Sequence, residues 1–253
     1  MGAVGDREIF ARGTPESIWQ DSGILGRIPL VSPTALCPAG SRAVIIAPHP
    51  DDEILAAAGL MMQLAELGRD ILIIGVTEGD ASHPGSRIWS PSTLARRRSA
   101  ERHAAMQALG LGQTPVVRLE ISDGKVEASR LELAQHLDAI LLPTDLVFTT
   151  WRLDGHPDHE AVGRAAATCC RHIGTKMIEL PVWMWHWATP QDSRIPWDRA
   201  IGLALTEAQL ELKREAIAAH TTQLDTDASL GAEPILPTWV LDRLLRPIEV
   251  FFR

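Results

Sequence analysis

The chain has no tyrosine, four phenylalanines and three cysteines among its 253 residues. Without a phenol, no catalytic scheme can call on a tyrosine hydroxyl to donate a proton. The cysteines Cys37, Cys169 and Cys170 form neither a CxxC pair nor an even set. That spacing excludes a thiol redox motif, a cysteine zinc ribbon and a disulfide framework, and it suits small buried side chains in a reduced compartment. No apolar run approaches the ~20 residues a membrane span needs. The opening MGAVGDREIFARG carries acids where a secretory signal has an apolar core, so a cytoplasmic location is the default expectation. Positive charge is also scarce. With 24 Lys and Arg against 32 Asp and Glu, the net charge of −8 argues against a nucleic-acid partner.

What is present describes an ordinary globular protein, long enough to bury one full core. Residues 1–40 are rich in Pro, Gly and Ser, with a short helical pattern around Pro15–Gln20, and read as an extension packed on the domain. Residues 41–253 read as a single α/β domain. Ala43–Ala47, Asp70–Val76 and Leu146–Thr150 are short continuous apolar runs, the pattern of strands buried on both faces. Pro115–Leu119 is a further candidate strand. Helical spacing covers Ile54–Leu67, Ser92–Leu109, Glu127–Leu141, about His159–His172 and Glu207–Ala219. This alternation predicts a Rossmann-like three-layer α/β/α sandwich with a mostly parallel sheet. In the tail, Glu179–Trp187 alternates like a strand, and Pro247–Phe252 suits a closing edge strand.

Two segments carry the chemistry: His49-Pro50-Asp51-Asp52-Glu53 and His156-Pro157-Asp158-His159. A His-Pro-Asp tripeptide is expected about 0.04 times by chance in such a chain. Each copy follows a candidate buried strand and precedes a helix, where open α/β sheets place their ligand sites. Hydrolytic metals take neutral imidazole and carboxylate ligands and keep a position open for water. His49, Asp52 and His159 are the candidate two-His, one-carboxylate set. Asp51 projects differently from its neighbour and could accept a proton from water. His156 could protonate a leaving amine or steady an oxyanion, and Asp158 could orient a histidine. Taken singly, each aspartate is more simply a helix cap and each histidine polar surface; the pairing of the two segments favours a metal site.

With these residues in view, the chain resembles the PIG-L/LmbE family of metal-dependent N-deacetylases. The likeness rests on Pro48–Glu53 (PHPDDE), Gly59, Thr77-Glu78-Gly79, Arg98-x-x-Glu101, Asp123-Gly124, Gly155–His159 (GHPDH) and Lys213-x-x-Ala216-x-x-x-His220-x-x-Gln223. The resemblance implies one zinc ion per chain, with iron(II) as the alternative, held by His49, Asp52 and His159. It makes Asp51 the general base, His156 the oxyanion or proton-donor group, and places Arg98 and Asp123 near the sugar or the catalytic histidine. The implied substrate is a small N-acylated amino sugar or glycoconjugate. Two departures stand out. Ala58-Gly59 replaces a frequent Gly-Gly, and Asp154 stands where some sugar deacetylases of the family carry a tyrosine.

Other features have plainer readings. Trp183, Trp185 and Trp187 would share one face of a strand, as a core face or oligomer contact before a sugar-stacking surface. His186 reads as structural, and Lys213 suits a solvated helix face as well as a ligand contact. His220 and Gln223 suit packing of the C-terminal helix. Of Arg96, Arg97 and Arg98, two read as solvated. A non-haem iron oxygenase would use the same triad, but on a β-barrel. A metal-free nucleotide-binding module would need a GxGxxG turn where PHPDDE stands.

Overall fold

The structure, a computed structural model, describes residues 5–253. Seven strands form one sheet: β1 (Ala43–Ala47), β2 (Ile71–Gly75), β3 (Val116–Arg118), β4 (Leu146–Thr150), β5 (Lys176–Leu180), β6 (Ala200–Ala204) and β7 (Ile248–Phe252). Their order is β3-β2-β1-β4-β5-β7-β6. The first five in this order pair in parallel, while β7 runs antiparallel to β5 and β6. Every residue of β1, β2 and β4 is buried, which is why each reads as an unbroken apolar run. Successive side chains of β1 serve opposite faces. Ile45 joins a core with Ile73, Phe148 and Phe251, while Val44 and Ile46 join a second with Leu72 and Val147.

Among the described residues, ten α-helices accompany the sheet: α1 (Glu16–Asp21), α2 (Pro33–Leu36), α3 (Asp52–Glu66), α4 (Pro91–Ala108), α5 (Arg130–Ile140), α6 (Pro157–Ile173), α7 (Met184–Trp187), α8 (Glu207–Ala218), α9 (Thr221–Leu224) and α10 (Thr238–Leu241). Helices α3, α4 and α8 contribute to the first core, and α5 and α6 to the second. The result is the expected three-layer sandwich. From β1 the chain builds outward through β2 and β3, then returns to lay β4 on the other side of β1. The β1/β4 junction is therefore the switch point where such sheets bind ligands.

Three expectations for the tail are corrected. Glu179–Trp187 is not one strand: β5 ends at Leu180, and Met184–Trp187 forms the helical turn α7. Pro181 cannot extend the ladder, and the next backbone N–H groups turn inward to a carboxylate described below. The three tryptophans consequently share no strand face. Trp185 packs edge-on against Trp19, and Trp187 stacks on Trp151. Strand β7 is not an edge, since β6 lies outside it. Lys213 does not face solvent. It is 1% exposed, with its Nζ 2.9 Å from Glu249 Oε1.

That lysine belongs to a break in α3. Ala57 leaves helical geometry (φ −142°, ψ 17°). The N–H groups of Gly59 and Leu60 donate to the two oxygens of Glu249, each at 2.9 Å. A carboxylate from β7 thus caps a helix restart inside α3, and Lys213 balances its buried charge. The N-terminal segment lies against the same half of the molecule. Trp19 is fully buried and donates its indole N–H to the Trp185 carbonyl, and the Val31 N–H reaches the Gly202 carbonyl on β6. No helix among the described residues is long and apolar enough to cross a membrane.

Candidate metal centre and catalytic site

At the carboxyl ends of β1 and β4 the two His-Pro-Asp segments meet. His49 Nδ1 lies 3.2 Å from Asp52 Oδ2, His159 Nε2 lies 3.2 Å from the same oxygen, and the two nitrogens are 3.3 Å apart. These are the edges of a nearly equilateral triangle. Ligand bonds of about 2.0–2.1 Å around a tetrahedral zinc subtend edges of about 3.3–3.4 Å, so the donor set fits such an ion. Wider groupings also exist. The three histidines His49, His156 and His159 offer nitrogens within 4.8 Å of one another, as do His49, Asp123 and Asp158. The triangle through Asp52 is tighter and combines the donor types that suit zinc.

Each histidine of the triangle has its other nitrogen held by carboxylates, which orients a ligating ring and sets its tautomer. His49 Nε2 faces Asp123 Oδ1 at 3.2 Å and Asp158 Oδ2 at 3.4 Å. His159 Nδ1 faces Asp154 Oδ2 at 2.8 Å. Asp154 is fully buried and also accepts the N–H groups of Val182, Trp183 and Met184 at 2.8–3.1 Å. This is the carboxylate that bends the chain after β5. In the sequence, position 154 stands out for its missing tyrosine; the signal for this role is an acid five residues before His159.

The electrostatics follow from this crowd of acids. Burial opposes charge on His49, yet hydrogen bonds to Asp123, Asp158 and Asp52 hold its pKa well above the usual imidazole value. His159 is likewise disfavoured by burial but lifted to about 9 by Asp52 and Asp154. Burial disfavours charge on Asp52, while His159 and His49 carry its carboxyl well below its usual range. The pocket is built to favour positive charge at the point where these atoms converge, as a cation site requires.

The remaining candidates take distinct places. Asp51 accepts a hydrogen bond at 3.0 Å from Arg98 Nη2, and Arg98 Nη1 donates to the Gly79 carbonyl at 3.0 Å. Arg98 is 3% exposed and lines the cavity, with hydrogen bonds to Asp51 and backbone; the resemblance places it near the sugar or the catalytic histidine. Gly79 permits this. Its φ is +65°, and a Cβ there would lie 2.1 Å from Arg98 Nη1. Asp123, which the resemblance likewise places near the sugar or the catalytic histidine, lines the cavity and turns to His49 and to the Ala81 N–H at 2.8 Å. Asp158 accepts the N–H groups of Gly124 at 2.7 Å and Val126 at 3.2 Å, tying that loop beneath His49. His156 Nδ1 accepts the Asp158 N–H at 3.2 Å, which leaves its proton on Nε2. Burial, then the neighbouring His159 and His49, push its pKa well below the usual value. Arg96 and Arg97 stay at the surface, while Glu101 gathers Thr221 and Thr222.

The triangle residues, Asp51, Arg98, Asp123 and His156 line a cavity of about 260 Å³, completed by Leu55, Ser82, Trp183, Gln223 and Leu236. His220 lies behind it, almost fully buried, with neither ring nitrogen bonded. Burial lowers its pKa to about 4.

The chain is 29% identical over 147 residues to an uncharacterized deacetylase, YaiS, of Escherichia coli, covering 54% of this chain and 74% of that protein. It is 32% identical over 73 residues to a 1D-myo-inositol 2-acetamido-2-deoxy-alpha-D-glucopyranoside deacetylase of Kineococcus radiotolerans, covering 28% and 20% of the two chains. Its fold is similar to the teicoplanin deacetylase Orf2 (TM-score 0.62, 17% identity, 84% and 97% covered). It is similar too to an N,N'-diacetylchitobiose deacetylase from Pyrococcus horikoshii (TM-score 0.53, 21% identity, 84% and 80% covered). The protein-family model PIG-L, GlcNAc-PI de-N-acetylase, matches residues 44–170, which span both His-Pro-Asp segments and half of the chain. With that match, the chain belongs to the PIG-L family and is a deacetylase, a hydrolase of amide bonds.

Proposed function

We propose that this deacetylase removes an N-acetyl or other N-acyl group from an amino sugar or its conjugate, using one zinc ion. The carrying observation is the triangle of His49 Nδ1, Asp52 Oδ2 and His159 Nε2, with edges of 3.2–3.3 Å. A divalent cation bound there supplies Lewis acidity to an amide carbonyl and lowers the pKa of a water. Iron(II) would take the same three ligands.

Asp51 is the base in this reading. Arg98 fixes one of its oxygens, and among the described residues no other side chain donates to its carboxylate. Asp51 takes the proton of the attacking water and returns it to the nitrogen as the C–N bond breaks, giving a carboxylic acid and a free amine, between which the acid's proton then passes to leave carboxylate and ammonium. His156 has its Nδ1 engaged, so its Nε2–H is the group available to the carbonyl oxygen as negative charge develops. Since the chain lacks tyrosine, that donation falls to His156 alone among these side chains.

The test combines elemental analysis with amine release from N-acetylglucosamine derivatives, for the wild type and for His159→Ala. One metal per chain in the wild type, with both metal and amine release lost in the variant, is the expected result. A wild-type chain that takes up no divalent metal after reconstitution would falsify the zinc reading.

A further inference from the structure

The loop that carries His156 is braced by a residue far outside the family-matched segment 44–170. Gly155, just before His156, has φ +97°, and a Cβ there would lie 2.8 Å from the Trp187 ring and 3.3 Å from Arg7 Cβ. The Gly155 N–H donates to Glu160 Oε1 at 3.0 Å. Glu160 is 1% exposed, and a carboxylate buried that deeply needs cations and donors around it. Arg7 supplies most of them. Its Nε and Nη2 both donate to Oε1, at 3.0 and 2.8 Å, while Arg164 Nη1 reaches Oε2 at 3.2 Å. The Arg7 side chain is 14% exposed and that of Arg164 42%, so the Arg7 pair is the less screened of the two.

The segment bearing Arg7 is itself fastened along its length. Asp6 accepts from Arg194 Nη1 at 2.8 Å, and His186 Nε2–H donates to the Phe10 carbonyl at 3.0 Å. Arg243 donates to the carbonyls of Arg12 and Thr14, and the Thr14 N–H donates to the His186 carbonyl at 2.7 Å. From this anchored strap a line of contacts runs through Glu160 Oε1 to the Gly155 N–H, one residue from His156. Without Arg7, Oε1 loses two of the three N–H groups that donate to it among the described residues. The carboxylate would then turn toward Arg164 and water, releasing the Gly155 backbone.

We propose that Arg7 is a positioning residue: acting through Glu160, it fixes the Gly155–His156 backbone and so the direction of the His156 Nε2–H. This rests on the reading of His156 as the group that meets the developing oxyanion. A donor displaced by about 1 Å from that charge loses up to about 10²-fold in rate.

The experiment uses the metal-loaded full chain as wild type, Arg7→Ala, Arg7→Lys, Asp6→Ala, His156→Ala and the double variant Arg7→Ala/His156→Ala. It reads amine release from N-acetylglucosamine, zinc affinity by chelator competition, and the NMR signals of ring-labelled histidines. The His156 signals are those lost in His156→Ala. Arg7→Ala should shift or broaden them and lower kcat about 10–100-fold, with KM and zinc affinity held within about twofold. Arg7→Lys keeps the charge but not the paired N–H groups, and should fall between. Asp6→Ala, at a side chain 77% exposed on the same strap, should match the wild type. In the His156→Ala background, Arg7→Ala should cost no more than about twofold, because the two act as one unit.

Unmoved His156 signals, additive losses in the double variant, or an equal effect of Asp6→Ala would overturn the proposal. So would zinc affinity falling in step with activity, since the effect would then pass through His159. If the His156 signals move but neither Arg7→Ala nor His156→Ala alters amine release, the positioning stands and the oxyanion reading fails. If the wild type releases no amine, the ring signals still decide the positioning, and the failure belongs to the sugar-substrate reading.

Discussion

The same tripeptide does different work at its two positions. In His49-Pro50-Asp51 the following helix begins at Asp52, three residues after the histidine. In His156-Pro157-Asp158 it begins at Pro157, immediately after the histidine. In the first copy, His49 contributes to the triangle and Asp51 stays in the cavity, free except for Arg98. In the second, His156 caps the helix through Nδ1, and Asp158 turns down to hold Gly124 and Val126. The triangle's second histidine is then the next residue, His159, one turn into α6. A two-residue difference in where a helix starts redistributes the roles of identical residues.

The contrast predicts paired variants with unequal outcomes. His49→Ala should abolish metal uptake and activity, while His156→Ala should keep the metal and lose about 10²–10³-fold in kcat. Equal metal loss in both would break the distinction. Asp51→Asn should keep the metal and fold but lose about 10²–10⁴-fold in turnover. Asp158→Asn should retain more activity and instead lower stability by about 1–3 kcal/mol, read by urea unfolding, because a carboxylate held by two N–H groups is lost. Asp154→Asn should weaken metal affinity about 10–100-fold by loosening His159, measurable by competition with a chelator.

The smallest effect is on the metal-free protein. His159, with a pKa of about 9 against an ordinary 6.5, contributes stability that is complete below pH 6.5 and lost as pH rises through 9. Over that interval the metal-free Tm should fall, and the gap to the metal-loaded Tm should widen as protons stop competing with the ion. A constant gap would argue that the triangle holds no proton. His220 acts in a separate window. Its lowered pKa costs stability only as pH falls below 6.5.

Much of this was legible in the chain, and the exceptions share a cause. Strands β1, β2 and β4 announce themselves because burial on both faces demands apolar residues throughout. Strand β6 does not, since Ala200–Ala204 is five small and aliphatic residues without a flanking motif, and its partner β7 lies more than forty residues away. The meeting of His49, Asp52 and His159 was readable because each sits in a local motif. Asp154 was not, because the N–H groups it gathers lie 28–30 residues ahead in the chain. Lys213 suits a solvated helix face as well as a ligand contact in the sequence because its carboxylate partner is 36 residues distant. Local pattern names the atoms near the reaction; the partners that orient them come from long-range contacts.

The break in α3 also has a bearing on how the chain is made. The helix carrying Asp52 is translated early, yet two of its N–H groups are satisfied by Glu249, close to the carboxyl end. Until that glutamate arrives, those donors lack their acceptor, and the nascent helix cannot reach its final packing. Strand β7, made about 190 residues later, therefore completes the restart of α3. A fragment limited to residues 44–170 would hold every member of the ligand triangle and lack the carboxylate that caps the restart of α3.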